Sequence, residues 1–463
     1  MSKGYKQIVM LRGMKLMHVA IMIALFVGVW SLYYVDALHI KLISSSTALI
    51  WGTYSILTVL LDRTYNALDV GMSRVQEIIY SQSLTNLICA GIAYALFSAS
   101  WLRLTNPLPL LLMVLLQILV NIVWSLAANK LYFALNAPRR TVIIYRRKSD
   151  LHKLEEIKYL NQKFDICKHI ENPKDDIHAL IQEIEGYEVV FVAGIHATLR
   201  NGIAKYCIDR GIEGYITPHV GDIIMAGAKH MRMFSVPIMQ VQRVELSPEY
   251  ALVKRLFDVV CSLIALIVLS PVMLVIALAI KLYDRGPVLY RQTRLTKNGE
   301  HFEILKFRSM RTDAEKDGVP RLATEADDRV TPIGKLIRAI RLDELPQLIN
   351  ILRGDMSIVG PRPERPEIAA EYEKKLPAFS MRLQVKAGLT GLAQVYGRYN
   401  SEPYAKLQMD LMYINHMSFI EDLKLMFATV KILFMKESTE GFEAGEGAVG
   451  LEQRERKKGQ ESA

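Results

Sequence analysis

Two adjacent carboxylates, Asp343 and Glu344, stand in the run Arg341-Leu342-Asp343-Glu344-Leu345-Pro346-Gln347. Arg338 and Arg341 precede them, and Arg362 follows between Pro361 and Pro363. Lys306 and Arg308 lie upstream in Leu305-Lys306-Phe307-Arg308-Ser309-Met310. Rigidly held guanidinium groups match phosphate oxygens with bidentate geometry. A carboxylate among such cations stays ionised and can attack phosphorus, while a neighbouring carboxylate can serve as general base for an incoming acceptor. Mg2+, a hard oxygen-seeking ion, would neutralise a diphosphate and be held by one or two carboxylates. The structural alternative makes Asp343 a helix N-cap and Glu344 a solvated first-turn acid.

The elements that must position this pair are legible in outline. Thr331-Pro332 followed by Ile333 to Ile340 predicts a helix with proline in its first turn. A second helix is expected to begin at Asp343, with Leu345, Leu348, Ile349 and Leu352 as its core stripe. Pro346 is tolerable in a first turn, where amides have no intrahelical partner. The carboxylates would then occupy a helix N-terminus, where the dipole and free amides favour anions. The polar stretch 313–328 is a candidate cover for the site. Apolar residues at helical spacing with interspersed lysines over 404–435 suit helices on a membrane interface or a plain packing face.

Half of the 463 residues are hydrophobic (51%), yet the formal net charge is +10, a combination that fits a membrane protein with a basic cytoplasmic part. Stretches 19–35, 42–61, 84–102 and 108–129 carry no formal charge and approach or reach the length of a bilayer span. Lys3, Lys6, Arg12 and Lys15 precede the first, and Lys130, Arg139, Arg140, Arg146, Arg147 and Lys148 follow the fourth. Four spans with both ends cytoplasmic satisfy the positive-inside rule. Asn86, Gln117 and Asn121 within them are expected to hydrogen-bond between helices. A fifth apolar segment, 256–280, has Asp258 as its single charge and basic residues at both ends. Ser270-Pro271 falls at its middle, which predicts a re-entrant helix–break–helix over 254–282. Cys89, Cys167, Cys207 and Cys261 lack metal or redox spacing and are expected to be reduced structural thiols. No cleavable signal peptide is evident.

Residues 139–248 predict a small α/β unit with strands at 141–145, 189–193, 213–216 and 233–241. A dinucleotide fold would place a glycine-rich turn after the first strand; Arg146-Arg147-Lys148-Ser149-Asp150 stands there instead. A degenerate Rossmann-like module with a structural, dimerising or regulatory role is the expectation.

From about Val253 to Glu440 the chain resembles the bacterial sugar transferase family, the monotopic polyprenyl-phosphate sugar-1-phosphate transferases. The resemblance rests on several motifs in one order: Lys254-Arg255-Leu256-Phe257-Asp258, Ser270-Pro271, Gly286-Pro287-Val288-Leu289-Tyr290-Arg291-Gln292, Lys306 to Met310, Leu342 to Gln347, Gly354 to Pro363, and Gly388-Leu389-Thr390-Gly391-Leu392-Ala393-Gln394. Ala387, in place of proline, and Tyr283-Asp284-Arg285 depart from it. It implies ping-pong transfer of a sugar-1-phosphate from a UDP-sugar to undecaprenyl phosphate with release of UMP, with Asp343 as nucleophile and Mg2+ ligand and Glu344 as base. Lys306, Arg308, Arg338, Arg362 and Arg398 would bind substrate phosphate, and UDP-glucose or UDP-galactose is the expected donor. The implied organisation is a four-helix transmembrane region (1–138), the Rossmann-like domain (139–248), a mostly helical monotopic catalytic domain (249–440) and a disordered tail (441–463). It implies a bacterial inner membrane, a cytoplasmic catalytic domain, contact with membrane lipids, a homodimer, and no nucleic acid. Two other readings stand beside it: a polysaccharide assembly scaffold with structural carboxylates, and a conventional glycosyltransferase that releases UDP.

Overall fold

Long uncharged runs leave the backbone no partner but itself once water is excluded, so they wind into helices. The computed structural model describes residues 3–152, 154, 161–171, 176–311, 329–397 and 402–433. Its contacts divide the chain into two units, Met1–Thr217 and Pro218–Ala463.

The first unit opens with four packed helices: α1 (Lys3–Val29), α2 (Ser45–Thr64), α3 (Val75–Trp101) and α4 (Leu108–Leu135). Among the described residues, four helices are long and apolar enough to cross a membrane: Val9–Ala37, Val75–Trp101, Leu108–Leu135 and Pro248–Asp284. The expected second span is therefore not one of them. It forms α2, whose hydroxyl residues and terminal Asp62-Arg63 lower its hydropathy. The polar residues of the bundle do bond between helices. Gln117 Nε2 donates to Tyr54 OH and to the Met22 carbonyl, both at 3.1 Å, and Asn121 Oδ1 lies 3.0 Å from His18 Nε2. Asn86 Nδ2 reaches Met22 Sδ at 3.3 Å.

After the bundle come β1 (Arg139–Tyr145), β2 (Phe164–Glu171), α5 (Ile177–Ile184), β3 (Val189–Ala193), α6 (Ala197–Arg210) and β4 (Glu213–Ile216). The strands make one parallel sheet in the order β2-β1-β3-β4, and β3 is buried along its whole length. The strand order reverses between β1 and β3, where a nucleotide would lie in an open α/β sheet. Gly194, at φ +69°, carries the chain past the Asp150 carboxylate, which stands where a Cβ would be.

The second unit begins earlier than the sequence places its boundary. Residues from Pro218, including α7 (Val220–Ala226) and the antiparallel hairpin β5 (Lys229–Met233) and β6 (Val236–Gln240), belong to it. Ile223 is buried with Leu407 and Leu411, and Asn415 Nδ2 donates to the Ile223 carbonyl at 2.7 Å.

α8 (Pro248–Asp284) is a continuous helix of 37 residues. The expected break is absent from its backbone. Pro271 has no N–H to give the carbonyl of Ile267, four residues before it, and Ser270 Oγ donates to that carbonyl at 2.8 Å. Polar groups fasten the helix start to the unit. Asp258, 5% exposed, accepts from Ser357 Oγ at 2.8 Å and from Ile358 N at 3.1 Å. Lys254 pairs with Asp422 at 2.6 Å, and Arg255 donates to the carbonyls of Ile351 and Leu352. The helix end is fastened too, with Ile276 and Ile280 buried against Phe307 and Ile337.

Beyond it, β7 (Leu289–Leu295) and β8 (His301–Phe307) pair antiparallel, α9 (Pro332–Ala339) and α10 (Gln347–Arg353) follow, and β9 (Ser357–Val359) lies parallel to β10 (Gly388–Thr390). α11 (Pro366–Lys375), α12 (Leu392–Tyr396), α13 (Pro403–Asn415) and α14 (Phe419–Leu433) complete the unit. The apolar stripes of α13 and α14 enter its core through Leu407, Leu411, Ile414 and Leu425. The cover at 313–328 and the tail at 441–463 lie outside the described residues.

Candidate active site

The carboxylate pair does not start an α-helix. Asp343 and Glu344 belong to a 3-10 turn, Leu342–Glu344, and α10 begins at Gln347. Pro346 explains the difference: it cannot donate to Leu342, and its ring crowds that carbonyl. The chain stays tightly wound, with Glu344 N to Arg341 O at 3.2 Å and Leu345 N to Leu342 O at 3.3 Å. The dipole argument for anion binding at Asp343 is lost with the helix start. The buried face of α10 also shifts, to Leu348, Asn350 and Ile351. α9 does begin at Pro332, where Thr331 Oγ1 accepts from Gly334 N at 2.9 Å. It brings Arg338 in its last turn, and Arg341, at φ +54°, then redirects the chain into the carboxylate turn.

Glu344 holds two cations on one oxygen. Its Oε1 accepts from Lys306 Nζ at 2.8 Å and from Arg362 Nη2 at 3.2 Å. Its side chain is 13% exposed. Burial alone would raise its pKa, but Lys306, Arg362 and Arg341 together hold it well below the usual carboxylate range. A carboxylate so stabilised as an anion accepts a proton less readily, which weighs against the base role expected for Glu344. Asp343 differs. It makes no hydrogen bond or ion pair among the described residues, and burial with the adjacent Glu344 charge pushes it up to about 6. The charges of Lys306, Arg338 and Arg362 act against that rise. Burial and the Glu344 charge thus make Asp343 more basic than an ordinary aspartate, and its carboxylate has no protein partner among the described residues.

Arg362 is placed by backbone. Gly360 N donates to the Thr390 carbonyl at 2.8 Å, and Gly388 N to the Pro361 carbonyl at 2.9 Å. A Cβ on Gly388 would lie 2.1 Å from Gly360 N, so the two strands meet this closely only as glycines. Ala387 N donates to Thr296 Oγ1 at 3.2 Å, a bond that proline at this position could not make.

Two placing residues escaped the sequence reading. Arg382, 2% exposed, donates to the Arg362 carbonyl at 2.9 Å and pairs with Asp410 at 2.7 Å. Arg294 donates to the Pro363 carbonyl at 3.2 Å. Arg382 lies in no motif, but Asp410 was visible as an acid among Leu407, Leu411 and Ile414.

Arg308 is not at the site. Its guanidinium is 6% exposed and chelated by Asp284, with Nε donating to the Pro287 carbonyl at 2.7 Å. Each of its three nitrogens has a protein partner, which favours a structural role over the expected phosphate contact. Asp284, a departure from the family motif, supplies the partner. Arg398 lies outside the described residues. No group of three or more metal-ligating side chains occurs among the described residues. One open carboxylate, Asp343, fits an ion such as Mg2+ that completes its shell with water and substrate phosphate.

The profile of the family described as Bacterial sugar transferase matches residues 249–436. The chain is 40% identical over 190 residues to a UDP-N-acetylgalactosamine-undecaprenyl-phosphate N-acetylgalactosaminephosphotransferase of Aeromonas hydrophila, covering 40% of this chain and 45% of that one. It is 40% identical over 219 residues to a UDP-glucose:undecaprenyl-phosphate glucose-1-phosphate transferase of Escherichia coli (strain K12), covering 46% and 47%. Against an exopolysaccharide production protein PSS of Rhizobium leguminosarum bv. phaseoli, identity is 42% over 186 residues, covering 38% of this chain and 92% of the other. The match thus spans about half the length of the first two relatives.

Proposed function

The chain belongs to the bacterial sugar transferase family, and from that premise we propose that it transfers a hexose-1-phosphate from a UDP-sugar to undecaprenyl phosphate, starting an exopolysaccharide or capsule chain. The observation that carries this is the asymmetry of the carboxylates: an open, basic Asp343 beside a Glu344 engaged by Lys306 and Arg362. An Asp343 oxygen attacks the sugar-bearing phosphorus, the bond from that phosphorus to the UMP oxygen breaks, and UMP leaves. An acceptor phosphate oxygen then attacks the same phosphorus, the bond to Asp343 breaks, and the lipid diphosphate sugar forms. The acceptor is itself ionised at neutral pH, so this step needs no strong base. Lys306, Arg338 and Arg362 hold the phosphate oxygens as charge shifts among them. Mg2+ held by Asp343 and substrate phosphate would supply charge neutralisation.

The membrane arrangement is part of the proposal. Asp258 and Ile280 are both fastened to the same unit, yet a helix of that length separates them by about 33 Å. Between them Ile264, Ile267, Val268, Leu274 and Val275 stay exposed. An unbroken helix tied to one body at both ends favours sinking its exposed middle into one face of the membrane over crossing it, and we place the catalytic unit on the cytoplasmic side. The middle sheet is taken as a degenerate Rossmann-like module.

The deciding assay offers a panel of UDP-sugars, including UDP-glucose, UDP-galactose and UDP-N-acetylgalactosamine, to membranes containing the protein. UMP release dependent on undecaprenyl phosphate is expected for one of them. Release of UDP would establish a conventional glycosyltransferase, and no release of either nucleotide would leave a scaffold.

A further inference from the structure

One oxygen, Glu344 Oε1, is held between cations from two separate elements, Lys306 on β8 and Arg362 in the loop after β9. Two nitrogen donors converging on a single anionic oxygen form the environment that these residue types offer a phosphate. The arrangement is mostly shielded from water, with side-chain exposures of 19% for Lys306, 13% for Glu344 and 33% for Arg362. Asp343, one residue away and equally charged, is paired with neither cation. The two carboxylates therefore differ in contact and not in charge.

We propose that Glu344 is an internal stand-in for the donor's phosphate: without substrate its carboxylate occupies the Lys306–Arg362 position, and the nucleotide must displace it to bind. This rests on the reading that these two cations receive donor phosphate. A donor phosphate oxygen placed at the Lys306 and Arg362 N–H groups that Glu344 Oε1 now holds would compete with it for them and repel it, so nucleotide entry is expected to displace the Glu344 contacts. The contact keeps the cations aligned in the empty site and weakens nucleotide binding by the cost of displacement.

The test is titration of UDP, the donor without its sugar, into the full-length protein in lipid nanodiscs. Glu344→Gln is expected to bind UDP on the order of tenfold tighter than the wild type, and clearly tighter than Asp343→Asn, which removes the same charge without removing a contact to the two cations. Equal tightening in both variants would reduce the effect to a general field and overturn the proposal, as would unchanged or weaker binding by Glu344→Gln. Should Glu344→Gln melt too low to titrate, Glu344→Asp serves, since the shorter side chain cannot bridge both cations. Tighter UDP binding then supports the proposal, and wild-type affinity overturns it. Arg362→Ala and Lys306→Ala separate the two levels. If both bind UDP like the wild type, the phosphate reading itself fails; if both weaken it and Glu344→Gln does not tighten it, only the stand-in fails.

Discussion

The helical bundle and the catalytic unit both bury polar side chains, but of different kinds. In the bundle most of the linking groups are neutral, Gln117 with Tyr54 and Asn121 with His18, and a single buried acid among the described residues, Asp62, lies beside the hydroxyl of Thr85. In the catalytic unit they are ionic: Glu344 with Lys306 and Arg362, Arg308 with Asp284, and Arg382 with Asp410. A neutral amide meets its demand with hydrogen bonds, so its loss is small and local. A buried charge needs a counter-charge, so its loss strands a partner.

The largest effect should come from the open carboxylate. Asp343→Asn is expected to lower UMP release by at least about 10⁴-fold in a membrane assay, as nucleophile removal does elsewhere; activity within tenfold of the wild type would return the pair to a structural role. Arg362→Ala should lower kcat/KM for the donor by about 10²- to 10³-fold, the usual loss of one charge-stabilising donor. Acid comes next. Asp343 must be ionised to attack and its pKa is raised to about 6, so UMP release should fall as pH drops through 6, by about tenfold per unit below it; a flat profile down to pH 5 would remove Asp343 from that step. Arg308→Lys sharpens the contrast with Lys306 two residues before it, since it loses chelation by Asp284. Its melting midpoint should fall while donor KM stays within about twofold of the wild type, and a large KM change would restore Arg308 as a phosphate ligand. The smallest effect belongs to the bundle: Gln117→Leu should cost roughly 0.6 kcal/mol or a little more and leave UMP release unchanged.

Local chemistry made much of this legible. The strand at 189–193, the start of α9 at Pro332 and the candidate nucleophile were all accessible from residue type and spacing. The carboxylate turn was misjudged because a proline within one turn of a helix start is compatible with either an α-helix or a 3-10 turn, and only the crowded Leu342 carbonyl decides. β2 was missed although Phe164, Ile166 and Ile170 alternate, because their spacing is shared with Lys168 and polar neighbours. Lys306 reaches Glu344 across 38 positions and Asp284 reaches Arg308 across 24. No periodicity encodes such pairings, so the assignment of two nearby cations, one to the site and one to the scaffold, required the fold. The continuous course of α8 past Pro271 likewise depended on one serine hydroxyl, which sequence offers but does not aim.

Arg341 leaves a last consequence. At φ +54° it holds a conformation that glycine adopts freely and an L-side chain adopts at a cost of roughly 1 kcal/mol. Arg341→Gly relieves that strain but frees the unfolded chain by a comparable amount, so the melting midpoint should move little, while the Glu344 carboxylate loses one of the charges that keep it ionised. A single backbone joint thus sets both the direction of the chain and the charge around the carboxylate turn.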